Sequence, residues 1–557
     1  MAGSTIVGPG APPLVLAEHA AGIEPAELSK APLLGILGVI IGAGLVTLTS
    51  RMLDNGFDDL KGHLGISFDA GAWAKGSFSY ALMFIGPFTV FLGGLMGARR
   101  ILFFAATAFA VVCAFLPFIH NYSLLVVALV LAGLASGTFY PLTLTFALRN
   151  IPLRYLPFTI ALYASFVDGA VNIAPSLYGW YREHLSWHWM FWNSALITPL
   201  MAFCIYYGIP ASPAPKRSAA PSFRGFLYAS AGFAMLLAAF DQGERLDWWR
   251  SGVFTALFVG GWFFLLCALV RRLRSPNPLV DLPYLRQWNT VLCGLGLFLF
   301  RFCLVSTIIL IPESLLIQGF EPEQIGPAVI WSAAPLLFIG FVIGLLFLAH
   351  FDPRLIMASG FVFMAMACYL NAELTIEWSA SNYYRTELLM GAGQLFAFGG
   401  LVGSIILQAV FSGGLTKSHL ILTFSAFFHT IRLFGGKLGA IYMLHFISQR
   451  EKLHSNLLGL HVKSGNWITD DNIRGLTAGL FSKSSGLPAA TGRAVGLISG
   501  RLRLQAYTLT VIDGFYLVAW ACVVTLLLVA SMRKSPLNYG ELSAVQEELP
   551  ALQEAKS

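Results

Sequence analysis

HTIRLFGGKLGAIYMLH, residues 429–445, sets His429, Arg432, Lys437 and His445 inside a run that is otherwise apolar. It is either a soluble helix with a basic face or a membrane-spanning helix that holds charge. The rest of the chain decides. Of its 557 residues 57% are hydrophobic and 11% charged, where soluble domains carry about 25% charged residues. Mean hydropathy is +0.71. A soluble fold is excluded. The net charge of +7 is spread over short loops between apolar runs. No basic tract interleaved with aromatics appears, as a nucleic-acid surface needs. The surplus reads as topology charge. All seven cysteines fall inside apolar runs, which reads as small core residues and not as a disulfide or metal framework.

A membrane-spanning helix needs about 20 mostly apolar residues. Fourteen such runs lie near 32–53, 73–96, 100–119, 122–148, 157–180, 188–208, 226–241, 252–271, 289–311, 326–349, 354–373, 386–411, 418–447 and 508–531. The Pro/Ala/Ser-rich stretch PASPAPKRSAAPSFRG (210–225) divides the first six from the rest. The expected organisation is a cytoplasmic tail 1–31, a six-helix bundle 32–208, a linker 209–225, an inserted pair 226–271, a second six-helix bundle 272–531 and a cytoplasmic tail 532–557. The segment 448–507 reads as a long outer loop. With the N-terminus inside, 15 Lys and Arg residues fall on or next to cytoplasmic loops and 7 on short outer loops, the sense of the positive-inside rule. Paired bundles with a midplane site between them are how many secondary transporters are built.

Four stretches carry a resemblance. They are APSLYGWYREHLSWHWMFWN (174–193), DQGERLDWWRSG (241–252), SPNPLVDLPYLRQWN (275–289) and RLFGGKLGAI (432–441). In this order and spacing they resemble the EmrB/QacA-type fourteen-helix drug:proton antiporters of the major facilitator superfamily, over roughly 32–531. The resemblance implies an all-α polytopic membrane protein of that superfamily's fold: two six-helix bundles plus two inserted helices. The loop between helices 2 and 3, GGLMGARR (93–100), keeps Gly93, Arg99 and Arg100 but lacks the family's Asp. Helix 4 has Leu129 and Ala132 where the family has Arg and Gln. That Arg is tied to proton coupling in the family, so coupling here is relocated or lost. The helix-5 motif survives in Gly169, Pro175 and Gly179.

Charge at the bilayer centre costs about 2.5–3.5 kcal/mol on insertion scales, so the few intramembrane charges are the candidates for chemistry. Asp168, Asp54, Asp513 and Glu313 are the proton-coupling candidates. Asp168 and Asn172 share a helix face, and Asp168 is either a proton carrier or half of a permanent ion pair. Arg301, Gln394, Asn172 and Lys437 are candidates for substrate contact. Arg301 also suits a counter-ion to Asp168, and Gln394 an interhelical hydrogen bond. At 100° per residue, Arg432 falls among Gly435, Gly436 and Gly439, a face on which another helix approaches closely. Lys437 lies off that face and, with His445, suits snorkelling or solvation at a cavity edge. His429 reads as a satisfied core histidine.

No Walker GxxxxGK[ST], His-Glu-x-x-His or Gly-x-Ser-x-Gly pattern is present, so no cofactor, metal site or ATP hydrolysis is expected. The expected function is proton-driven export of amphipathic organic compounds across a bacterial inner membrane by alternating access. The alternative is a metabolite importer or exchanger of the same fold. A membrane enzyme using His184 or His188 lacks any catalytic constellation. Implied partners are protons, the lipid bilayer and, from the resemblance, a periplasmic adaptor with an outer-membrane channel. Segment 448–507 is the expected docking surface.

Overall fold

A computed structural model describes residues 29–151, 155–210, 223–274, 280–411, 418–463, 465–535 and 538–539. The N-terminal tail up to 28, the middle of the linker (211–222), residues 275–279 and the C-terminal tail from 540 lie outside the described residues.

The described residues form helices and turns, with no strand. The first bundle contains α1 (Pro32–Leu64), α2 (Phe68–Met96), α3 (Ala98–Phe118), α4 (Tyr122–Leu148), α5 (Leu156–His184) and α6 (Trp189–Gly208). The inserted pair is α7 (Phe223–Gly243) and α8 (Gly252–Arg274). The second bundle contains α9 (Trp288–Leu316), α10 (Pro322–Ile330 and Leu336–Leu348), α11 (Pro353–Asn371), α12 (Ala380–Ala409), α13 (Ser418–Gly459) and α15 (Leu487–Ala530), with α14 (Trp467–Phe481) between the last two. Twelve described helices are long and apolar enough to cross a bilayer. The other two expected spans are α10 and α13. Pro335, which lacks an N–H, ends the turn that breaks α10. In α13 the apolar run is diluted by the basic residues quoted above. Exposed Phe104, Phe338 and Trp520 on the outer faces suit contact with lipid, and the chain is a multi-pass membrane protein.

Two boundaries differ from the sequence reading. First, α1 outruns its apolar stretch. Arg51, Asp54, Asp58, Asp59 and Lys61 lie on its last turns and not in a loop. Pairs one turn apart, Arg51–Asp54 at 3.2 Å and Lys61–Asp58 at 2.7 Å, support those polar turns. Gly65, with φ 61°, then ends the helix in the left-handed region. Second, 448–507 is mostly helical. α13 continues to Gly459, and α14 packs on the start of α15 across the turn 482–486. Apolar run length misses such helices because their buried face is a narrow stripe.

The bundles meet along two seams. On one, α5 packs against α10 and α12. A Cβ at Gly169 would collide with Leu336, and one at Gly179 would sit 3.0 Å from the Glu323 backbone. Ser176 Oγ donates to the Gly326 carbonyl at 2.5 Å. On the other, α2 meets α13 through the turn Gly86–Phe88. The helix α7 lies on α2 and α13, so the inserted pair flanks this second seam, with α8 mostly exposed.

Candidate functional site

At about 1.5 Å per residue, Asp168 lies roughly 18 Å along α5, Arg301 roughly 20 Å along α9 and Arg432 roughly 21 Å along α13. All three therefore lie at similar depth along helices that start on the same side, inside their apolar runs. Two glycine positions fix the cations. A Cβ at Gly435 would sit 3.3 Å from Phe298 Cα, so α9 and α13 approach closely there, as the glycine face predicts. A Cβ at Gly436 would sit 2.9 Å from Arg301 Nη2. The bare backbone of α13 is thus the floor on which the Arg301 guanidinium lies.

Arg432 points away from its own bundle. Its guanidinium carbon stands 3.6 Å from the Tyr140 ring centroid on α4, and Nη2 reaches Thr47 Oγ1 on α1 at 3.5 Å. The residue is 4% exposed, and its Nε and Nη1 are buried with no hydrogen-bond partner. Arg301 Nε is likewise unpartnered. The hydroxyl groups of Tyr140 and Tyr163 are buried and unpaired beside them, as is His429 Nε2. His429 is therefore not the satisfied core histidine expected; it packs 6.1 Å from Tyr140, ring to ring.

Asp168 is 2% exposed. Its Oδ2 has no hydrogen-bond partner, and no described cation lies within ion-pair distance. Arg301 is within charge–charge range of both Asp168 and Arg432. Two guanidinium groups and one carboxylate thus converge where the bundles meet, leaving an excess of positive charge and of unused N–H donors. Such groups are costly to bury unpaired.

Asn172, one turn beyond Asp168, reaches across the α5 seam. Its Nδ2 donates to Gln394 Oε1 on α12 at 2.7 Å, and Gln394 Nε2 donates to Thr307 Oγ1 on α9 at 3.0 Å. Gln394 is fully buried, so it makes the interhelical hydrogen bond that its sequence position allowed.

The other sequence candidates have partners of their own, although Arg51 beside Asp54 is in charge–charge range of Arg301. Asp54 is paired with Arg51 at 3.2 Å and Lys75 at 3.4 Å. Lys437 does not snorkel. Its Nζ lies 3.5 Å from Asp241 Oδ1 on α7, and Tyr80 Oη donates to the other oxygen at 2.7 Å. His445 contacts Glu244 at 3.0 Å. Asp513 is held by Arg450 at 3.2 Å and His454 at 2.8 Å, and Glu313 accepts from Tyr507 at 2.7 Å. Gly93 packs on Leu142, while Arg99 lies 4.2 Å from the Tyr206 ring. Arg100 is exposed. Thr47, Tyr140, Tyr163, Thr307 and Asp241 escaped the sequence reading. An apolar run gives no sign of which tyrosine or threonine faces inward.

Two helical bundles in contact around a buried, under-satisfied polar centre define the architecture of a secondary transporter. The family model of the Major Facilitator Superfamily matches residues 39–440. The chain belongs to that superfamily and is similar to EmrB-type exporters within it. It is 23% identical to the fatty acid resistance protein FarB of Neisseria gonorrhoeae, over 86% of this chain and 92% of the relative. It is 23% identical to the multidrug export protein EmrB of Escherichia coli (strain K12), over 86% of this chain and 91% of the relative. Among solved structures, the human organic anion transporter MFSD10 aligns at TM-score 0.50 and 12% identity, covering 89% of this chain and 99% of that one. The proton:xylose symporter XylE aligns at TM-score 0.51 and 11% identity, covering 93% and 99%. These two likenesses concern the fold alone.

Proposed function

We propose that this protein is a proton-driven exporter of amphipathic organic anions, working by alternating access at the inner membrane with both termini in the cytoplasm. The observation that carries the substrate charge is the pair Arg301 and Arg432, whose unused N–H donors are buried at the bundle interface, with only the Asp168 carboxylate in charge–charge range of Arg301. A carboxylate or sulfonate with an apolar body would satisfy those donors with charge-assisted hydrogen bonds. The names of FarB and EmrB, a fatty acid resistance protein and a multidrug exporter, agree with an amphipathic cargo. Asp168 is the proposed proton carrier. The absence of the family's helix-4 Arg fits this relocation, because α13 supplies the cation that α4 lacks, with Tyr140 of α4 as its platform. The projecting helices of 448–507 are the proposed surface for a periplasmic adaptor.

The test compares two fluorescent amphiphiles of similar size, one a sulfonate and one a quaternary ammonium, in proteoliposomes with an imposed pH gradient. The sulfonate should be transported and the ammonium should not. Transport of the ammonium alone would refute the substrate assignment.

A further inference from the structure

Glu387 belongs to no part of the site described so far. It stands in the first α-helical turn of α12 and is 0% exposed. Both carboxyl oxygens are buried and lack a hydrogen bond within normal distance. No described Lys, Arg or His pairs with it. The groups that face it are the Thr307 hydroxyl on α9, the Cys368 thiol on α11 and the Tyr383 hydroxyl at the start of α12. None of these carries positive charge, so a carboxylate here would be a bare buried anion. A carboxylic acid holding its proton would not.

Thr307 is also the end of the chain that starts beside Asp168. It sits in the π-helical stretch Ser306–Leu310, a backbone irregularity that recurs at functional sites. Thr307 Oγ1 accepts the Gln394 N–H, so its own hydroxyl proton is free to turn toward Glu387. Glu387 and Gln394 are seven residues apart on α12, so they share a face about 10 Å apart along the axis, with Thr307 hydrogen-bonded to Gln394 and facing Glu387. The side chains of Asn172, Gln394, Thr307 and Glu387 are each at most 1% exposed.

We infer that Glu387 is a second proton-binding carboxyl group, connected to the Asp168 centre through Thr307, Gln394 and Asn172. This rests on the proposed proton coupling and extends it to two sites. When Glu387 carries its proton, its O–H can donate to Thr307. When the proton leaves, a carboxylate remains and the Thr307 hydroxyl turns to donate to it. The positive end of the α12 dipole at this first turn helps to tolerate the anion for that part of the cycle. Rotation of Thr307 changes what Gln394 can donate to, and Asn172 transmits that change across the bundle interface to the turn that holds Asp168.

The test has two readouts on the reconstituted full chain. Infrared pH-difference spectra follow the carbonyl stretch of protonated carboxylic acids and need no substrate. Glu387→Gln should remove one such band, and Asp168→Asn a different one. Thr307→Val should move the pH at which the Glu387 band titrates, and Thr307→Ser should restore it. Gradient-driven accumulation of a permanently charged aryl sulfonate gives the coupling. Each coupled proton contributes a factor of about ten per pH unit, so Glu387→Gln should lower steady-state accumulation about tenfold per pH unit while leaving downhill exchange in place. Infrared bands unchanged by Glu387→Gln would overturn the inference. So would a Glu387 band that never titrates, or a lost band with unchanged accumulation. If wild type fails to transport the sulfonate, the substrate assignment fails, and the pH titration of the Glu387 band still decides this inference.

Discussion

The Arg432 guanidinium lies 3.6 Å from the Tyr140 ring centroid, and the two residues belong to different bundles. A cation resting on an aromatic face is held by the ring quadrupole without being neutralised. Its charge therefore remains available to an incoming anion. The same contact must break or slide when the bundles rock, so it couples occupancy to conformation.

Arg432→Gln removes charge-assisted hydrogen bonds worth about 1.5–3 kcal/mol, or roughly tenfold to a hundredfold in Kd. The affinity for an aryl sulfonate, measured by tryptophan quenching, should fall by that factor. Tyr140→Phe keeps a ring under the cation and should bind nearly as wild type does. Tyr140→Leu should weaken binding. Equal loss in both Tyr140 variants would mean that the hydroxyl, not the ring, matters.

Gly436 has a narrower role. A methyl group there would press on the Arg301 guanidinium, 2.9 Å from Nη2. Gly436→Ala should displace the side chain while leaving the fold intact, because the obstacle is a flexible tip. Anion affinity should drop while thermal stability changes by less than about 1 kcal/mol. A variant with unchanged affinity would show that Arg301 does not meet the substrate.

Lys437 and Asp241 join α13 to α7 at 3.5 Å. Breaking a fully buried pair costs about 3–5 kcal/mol, and this one is partly exposed, at 26% and 18% of the side chains. Lys437→Met alone or Asp241→Asn alone should therefore cost on the order of 2 kcal/mol. The double variant should recover part of it, because no lone charge remains. Thermal unfolding in detergent reads this. Additive losses would show that the pair does not interact.

At the end of the bundles where α1 and α5 finish, Arg182 bridges Asp59 on α1 at 3.7 Å to Glu323 on α10 at 3.4 Å. Close by, Gly326 and Ser176 are in backbone contact across the seam. Gly326→Ala, whose Cβ would sit 2.7 Å from the Ser176 Cα, should hold this seam apart and lower transport, while Ser176→Ala, which loses only a hydroxyl, should not. Unchanged transport by Gly326→Ala would show that this seam need not close.

His188 gives a pH test outside the membrane-spanning segments. Burial against Trp187, stacked at 4.1 Å between ring centroids, and then the neighbouring His63, hold its imidazolium below the ordinary range. The unfolded chain therefore binds this proton more readily than the folded one. The contribution to stability is whole above the ordinary histidine value of about 6.5 and is lost as pH falls through and below it. His188→Gln should flatten the fall in melting temperature between about pH 7 and 5.

Much of this fold was legible because bilayer thickness forces run length, and run length is visible in sequence. The glycine face of α13 was legible too, since Gly435, Gly436 and Gly439 mark where another helix approaches closely, and the structure puts α9 there. The extent of α1 was not, because Asp54 to Lys61 look like a loop by polarity yet pair along a helix. Nor were the partners of Lys437. Helical period gives the face on which a side chain leaves its own helix, but not which of the other helices stands opposite. For the same reason nothing in the sequence singled out Glu387, near the start of its apolar run, or Tyr140, one aromatic among many.

The central claim is that Asp168 carries the driving proton for an anion held by Arg301 and Arg432. Its most direct test is sulfonate transport in proteoliposomes with and without a pH gradient, for wild type and Asp168→Asn. Wild type should accumulate substrate only with the gradient. Asp168→Asn should still exchange substrate downhill, and its uphill accumulation should fall by about tenfold per pH unit. Gradient-driven accumulation with unchanged pH dependence in Asp168→Asn would contradict the account.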